Sequence, residues 1–182
     1  MARSTPSSIG LVAILSIGLV VPSAVAIDGP LASASVSFGQ WQTDPPLDRF
    51  PNLSDRLRNV HQLIPSQVTV KAGGAVNFLI GGFHQPIVYA DGTLPTDIDT
   101  NKTTPSTGIP LGAALINEDV NRIYRGQDPS RQPMLTATPN GPVSQDRVEV
   151  VNFPKPGMYL VICGVRAHFV DDGMFGFVRV LP

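Results

Sequence analysis

Cysteine is almost missing from this sequence: Cys163 is the only one in 182 residues. A lone thiol excludes any disulfide within the chain and any Cys-x-x-Cys redox pair. Histidine is nearly as scarce, at three. Charge is sparse too, since Asp, Glu, Lys and Arg make up 15% of the chain and the formal net charge is −1. No basic stripe and no patch of Lys/Arg interleaved with aromatics occurs, which excludes nucleic acid as a partner. Long apolar runs are confined to Ile9–Val21, 13 residues, short of the roughly 20 that cross a bilayer as a helix.

What the N-terminus does contain is a secretory pattern. Arg3 supplies the charged start, the apolar run follows, and Ala24-Val25-Ala26 offers small residues at the two positions a signal peptidase reads. Residues 1–26 are therefore expected to be a signal peptide and 27–182 a single domain, exported to the periplasm or the exterior, with no transmembrane segment after processing. A solitary thiol in an oxidising compartment needs protection: buried and inert, bonded to another chain, or held as a thiolate on a metal. Lipid attachment requires a cysteine at the cleavage site, and Cys163 is far from it.

Eighteen prolines and 17 glycines, with short runs of Val, Ile, Thr and Phe between them, favour an all-β sandwich or barrel with little helix. Ser33–Phe38 alternates like an edge strand. Ser54 reads as the cap of a short helix with Leu57, Val60, His61 and Ile64 on one face, which makes His61 a packing or surface residue. Val68 and Val70 alternate with Thr69 and Lys71, Gly73-Gly74 reads as a turn, and Ala75–Ile80 is apolar, a hairpin signal. Gly81-Gly82 breaks the strand before Phe83-His84, and Ile87-Val88-Tyr89 resumes it as far as Asp91-Gly92. Residues 91–146 read as an irregular insertion with a helical patch around Ala114–Tyr124; a segment that long must hold elements of its own. Order returns at Arg147, where Val148 and Val150 alternate against Glu149. The turn Pro154-Lys155-Pro156-Gly157, the strand Met158–Cys163, the eleven-residue loop Gly164–Met174 and the strand Phe175–Leu181 complete the chain.

That last loop carries the chemistry. Cys163 ends a strand, His168 follows at Cys-x4-His, and Met174 follows at His-x5-Met just before the next strand. Singly, each is an ordinary packing residue. Together with His84, at its own strand break, they form the two-histidine, one-cysteine set with a weak axial methionine that a type 1 (blue) copper ion takes. Cu(I) prefers soft sulfur and Cu(II) prefers nitrogen, so a rigid mixed site suits both states. One copper ion on His84, Cys163, His168 and Met174 is expected.

Gly157-Met158-Tyr159-Leu160-Val161-Ile162-Cys163 resembles the Gly-x-Tyr-x-x-x-Cys strand of the cupredoxins. His168, Met174 and Gly176-Phe177-Val178-Arg179-Val180 are similar to the second histidine ligand, the axial methionine and the closing strand of plastocyanin-like and azurin-like proteins, and Val68–Val88 resembles the segment that ends in the first histidine ligand. The resemblance covers about residues 66–90 and 147–181. It implies a Greek-key β-sandwich of the cupredoxin type, with a long insertion between His84 and Cys163, and an electron-carrier role. Three features depart from the pattern: a longer His-to-Met spacing, Gln85 where the family commonly has an asparagine that ties the two ligand loops, and the insertion itself.

The function expected is a one-electron carrier and not an enzyme: after one copper takes two histidines, His61 alone is spare, too little for a type 2 or trinuclear copper set, and a dinuclear centre needs two cysteines. A redox partner protein would dock near His168, on an apolar patch of Val165, Phe169, Val170 and Phe175 rimmed by Arg166. The alternative is copper delivery or storage without redox turnover, which usually relies on exposed Met- and His-rich clusters; past the leader this chain has only Met134, Met158 and Met174. A metal-free binding module with Cys163 merely buried is a third reading. A Cys–His hydrolase lacks any mark of an orienting third group. N-terminal sequencing of the exported protein should begin at Ile27; an intact Met1 end held in the membrane would contradict the leader.

Overall fold

The computed structural model describes residues 31–39, 61–107, 112–131 and 147–182. Its elements run β1 (Leu31–Gly39), β2 (Leu63–Ile64), β3 (Gln67–Gly81), β4 (Pro86–Asp91), β5 (Thr103–Pro105), β6 (Ala114–Ile116), β7 (Arg122–Arg125), β8 (Arg147–Phe153), β9 (Gly157–Cys163), α1 (Arg166–Val170) and β10 (Phe175–Leu181). The expected helix after Ser54 falls on residues outside those described, except that Ile64 lies in strand β2 and His61 in the irregular segment before it.

The expected hairpin at Gly73-Gly74 is instead one continuous 15-residue strand, β3. The reason lies in the side-chain period. In a two-residue hairpin Val68 would face Leu79 and Val70 would face Asn77, leaving Val76, Phe78 and Ile80 on the other side with Thr69 and Lys71. An unbroken strand puts Val68, Val70, Val76, Phe78 and Ile80 on one face, and all five are buried. The two glycines let the strand bend rather than reverse, and the register against β1 jumps there, from Leu31↔Val70 to Ser33↔Ala75.

The bend lets β3 serve two layers. Its first half pairs in parallel with β10, Gln67 to Lys71 against Phe177 to Leu181. Its second half pairs antiparallel with β8 and parallel with β1, which carries β2 on its far side. One layer is thus β2-β1-β3-β8 and the other β3-β10-β9-β4-β7. Consecutive strands change layer at β3 to β4, at β7 to β8 and at β8 to β9, so the class is the Greek-key β-sandwich expected. The two inner faces interlock in one apolar cluster that includes Phe38, Phe78, Phe153, Val161, Val178 and Cys163. Phe38 meets Phe78 edge-on at 6.0 Å, and Phe153 meets Tyr159 at 5.1 Å.

The segment between His84 and Cys163 is not irregular throughout. Ala114–Tyr124, read as a helical patch, forms β6 and most of β7. Leu115 and Ile116 are adjacent and both buried, one in the main cluster and one in a second cluster on the opposite side; neighbours pointing to opposite faces is a strand property, not a helical one. That second cluster gathers Ile98, Ile116 and Phe169 over Ile87, Tyr89, Leu160 and Ile162. The insertion thereby roofs the outer face of β4 and β9. In β8 the valines Val148 and Val150 face outward and Glu149 is buried, because Glu149 is held by Arg147 Nε at 2.5 Å and Tyr124 Oη at 2.6 Å.

The two glycines of β3 separate in a stability test. A Cβ on Gly74 would stand 2.5 Å from the Ala32 carbonyl oxygen and 2.7 Å from that of Lys71, whereas Gly73 has open space and a φ of +82°. Gly74→Ala should cost about 1–3 kcal/mol in urea unfolding, as overpacking does. Gly73→Asn, which suits a positive φ, should cost less than about 1 kcal/mol. Equal losses would mean that the bend, not the close approach, sets the requirement.

Candidate metal centre

Four strands end at one pole of the sandwich, and the donors lie at those ends and in the segment between the last two strands. Cys163 closes β9, His84 lies between β3 and β4, His168 is on α1, and Met174 immediately precedes β10. Cys163, His84 and Met174 are buried, and His168 is half-buried. Cys163 Sγ lies 3.6 Å from His84 Nδ1 and 3.7 Å from His168 Nδ1, and the two Nδ1 atoms are 3.0 Å apart. Both imidazoles therefore turn the same nitrogen toward the sulfur. Metal bonds of about 2.0 Å to nitrogen and 2.3 Å to sulfur, spread trigonally, would separate N from S by about 3.7 Å and N from N by about 3.5 Å. The three donors fit around one ion, with the two histidines slightly pinched.

Backbone hydrogen bonds lock the loops that carry these donors. Cys163 N–H donates to the Met174 carbonyl at 3.0 Å, and Met174 N–H to the His168 carbonyl at 2.9 Å. The one-turn helix α1 absorbs the longer His-to-Met spacing, and Met174 arrives in the same apolar cluster as Cys163. Gly164 N–H donates to the Gln85 carbonyl at 2.6 Å, tying the two ligand loops. The departure at Gln85 is resolved by that bond: its backbone makes the tie, while its side-chain Nε2 donates to the Gly126 carbonyl at 2.8 Å in the insertion. Its Oε1 is buried with no hydrogen-bond partner among the described residues. On the other flank Arg147 Nη2 donates to the His84 carbonyl at 2.8 Å, and Glu149 steadies Arg147.

His84 packs against bare backbone. A Cβ on Gly39 would stand 2.5 Å from His84 Nε2, and Gly39 has a φ of +104°, so only glycine serves at that position. Sγ accepts hydrogen bonds from the backbone N–H groups of Gln85 and Val165, yet burial outweighs them and pushes the thiol up to about 12. Burial first, then the neighbouring His168 and His61, holds His84 well below the usual imidazole range. His168 is held down at about 4, by burial and then by His61. Without metal the site is a neutral thiol between two neutral imidazoles. A cation is what would make a thiolate tolerable there.

The site is cupredoxin-like. Its donors are those a type 1 copper takes: a thiolate, two imidazoles and, in the same cluster, a thioether. No family model and no curated protein matches the chain. Among solved structures it is similar to dithionite-reduced auracyanin from the photosynthetic bacterium Roseiflexus castenholzii, at 16% identity and a TM-score of 0.46 over 85% of this chain and 100% of that one. Auracyanin A, a "blue" copper protein from Chloroflexus aurantiacus, is 17% identical at a TM-score of 0.45, over 84% of this chain and 100% of that one. A mutant fern plastocyanin is 18% identical at 0.39, over 81% of this chain and 99% of that one. Likenesses this distant say nothing of function, which rests on the side chains.

One residue escaped the sequence pattern. His61, read as a packing or surface residue, stacks on His168 with ring centroids 3.8 Å apart and bonds through Nδ1 to Asp172 Oδ2 at 2.6 Å. The signal available was its chemistry alone, one of three histidines in the chain. Two members of the expected docking patch are also relocated: Val165 and Phe169 are buried, at 5% and 7% exposure, while Val170 and Phe175 remain exposed. Phe169 faces the insertion and Val165 the main core.

The shifted groups give the metal-free protein a pH window. The thiol's folded pKa lies above its unfolded value near 9, so stability is present below pH 9 and lost as pH rises toward 12. The imidazoles are depressed, so stability is present above their unfolded value of 6.5 and lost as pH falls through it toward 4. Urea midpoints of the metal-free protein should peak between about pH 6.5 and 9 and drop on both sides. A midpoint as high at pH 5 as at pH 7.5 would contradict the burial of the two histidines.

Proposed function

We propose that this chain is a type 1 copper protein that carries one electron at a time in the periplasm or outside the cell, with His84, Cys163, His168 and Met174 as ligands. The observation that carries the proposal is the triangle of Sγ and two Nδ1 atoms, 3.0–3.7 Å on a side, closed in by apolar side chains. When bound, copper supplies a one-electron couple between Cu(I) and Cu(II). The chain's own part is to hold the donors still: the Met174, His168 and Gln85 backbone bonds fix the loops, and the Gln85 and Val165 N–H groups draw charge from the sulfur. Cys163 and Met174 are fully buried, which would keep water from the inner side of a bound ion.

A buried, backbone-locked site favours retention over hand-off, so it supports the carrier reading against copper delivery or storage. A partner protein is placed where the donors come nearest the surface, at the half-buried His168. Near it in sequence stand Val170 and Phe175, 43% and 36% exposed, an apolar pair at which a partner could make contact. Arg166 donates from Nε to the Thr100 carbonyl at 3.0 Å, so its guanidinium is anchored at the rim.

Copper-loaded protein should show an intense visible charge-transfer band that Cys163→Ser abolishes, because only the thiolate supplies that transition. Met174→Leu should keep copper and colour while raising the reduction potential, since a weak thioether ligand from Met174 would mainly tune the stability of Cu(II). A serine variant that kept its band would remove Cys163 from the site, and an unchanged potential in the leucine variant would leave Met174 as a core residue only.

A further inference from the structure

The copper proposal leaves His61 without a task, yet its surroundings are those of a ligand. One ring nitrogen each of His61, His84 and His168 lies within 4.8 Å of the other two. The His61 ring stands edge-on to His84 at 5.4 Å and lies over His168 at 3.8 Å. Its Nδ1 is engaged by the Asp172 carboxylate at 2.6 Å, which leaves Nε2 as the free donor. A metal-bound imidazole is usually held in that way, one nitrogen on a carboxylate and the other on the ion. Asp172 follows α1, four residues after His168, so the clasp joins the His61 segment to the ligand loop itself.

We propose that His61 is a further ligand of the copper, so that the ion has three imidazoles and one thiolate, with His61 on the outer side and Met174 on the buried side. The proposal rests on the copper reading above. Nitrogens on one ion, each bonded at about 2.0 Å and about 90–110° apart, stand about 2.8–3.3 Å from one another, so gathering His61 requires an inward shift of about 1.5–2 Å from the 4.8 Å spread. His61 is 24% exposed and outside the regular strands, so it has room for that shift. A third imidazole raises the coordination number, weakens the copper–sulfur bond and favours Cu(II). It also stands between the ion and solvent, where an outside ligand would otherwise enter.

The test compares the parent protein with His61→Ala and Asp172→Asn, each titrated with Cu(II) and followed by visible spectroscopy and electron paramagnetic resonance. His61→Ala should lower Cu(II) affinity at least about tenfold, shift thiolate charge-transfer intensity toward the long-wavelength band and narrow the copper hyperfine splitting. Added imidazole should restore the parent spectrum, and Asp172→Asn should move each readout part of the way. Spectra and affinity in His61→Ala that superimpose on the parent would overturn the proposal and leave His61 as a cover over His168. Absence of any thiolate band in the parent would overturn the copper–thiolate reading instead. His61 is then judged by Zn(II) affinity, where a tenfold fall in His61→Ala upholds the three-imidazole site and an unchanged value refutes it.

Discussion

The structure depends on one constraint: a thiol has been placed where its anion cannot exist alone. Cys163 Sγ is fully buried, lies in the main apolar cluster and holds its proton up to about pH 12. Two backbone N–H groups point at it and do not offset that burial. Both facing imidazoles are neutral for the same reason. These three groups are poorly suited to proton chemistry near neutral pH, since burial shifts the thiol up and both imidazoles down. It is well made for a soft cation, which displaces the thiol proton and takes the place of solvent.

Much of the remaining chain serves to keep that site narrow and dry. The insertion contributes Ile98 and Ile116 to a roof over β4 and β9, the Gly126 carbonyl that receives Gln85, and the Tyr124 hydroxyl that joins Arg147 on Glu149. Leu115 pairs with Val165 beside the cysteine, and Ile116 N–H donates to the Gly164 carbonyl at 2.7 Å. The ligand loops are thus braced from outside by a segment that contains none of the expected ligands. Glu149 shows how far this goes: its carboxylate is buried against the Arg147 guanidinium, and loss of Arg147 would leave a costly uncompensated charge.

The meeting of His84, Cys163 and His168, with Met174 in the same cluster, was legible because the order His then Cys-x4-His-x5-Met reports chemistry directly. Strands rich in Val, Ile and Phe, such as β4 and β9, were legible from composition. β3 was misread because Gly73-Gly74 is a turn signal locally, while the period-2 pattern running through it is a longer-range one. Ala114–Tyr124 was misread because its burial is decided by two separate clusters, which no local window contains. The contacts of His61 were not legible because they depend on Asp172, 111 residues away, and on a ring stack that no spacing encodes. Val165 and Phe169 were taken as surface since apolar residues in a loop next to a ligand look like a docking face until the insertion is seen to cover one of them.

The strand shared by both layers has a mechanical consequence. Sandwich layers joined only by loops and side-chain packing can slide or hinge on each other, but β3 is bonded into one layer by its first half and into the other by its second. Shear between the layers would have to break its ladders, so compliance in that direction is low. His84 follows the end of β3, and Cys163 ends a strand of the opposite layer, so the spacing between them inherits that stiffness. The barrier to moving an electron onto or off a metal grows with how far its ligands must travel. On the copper reading, a frame that hardly yields would keep that distance, and so the barrier, small.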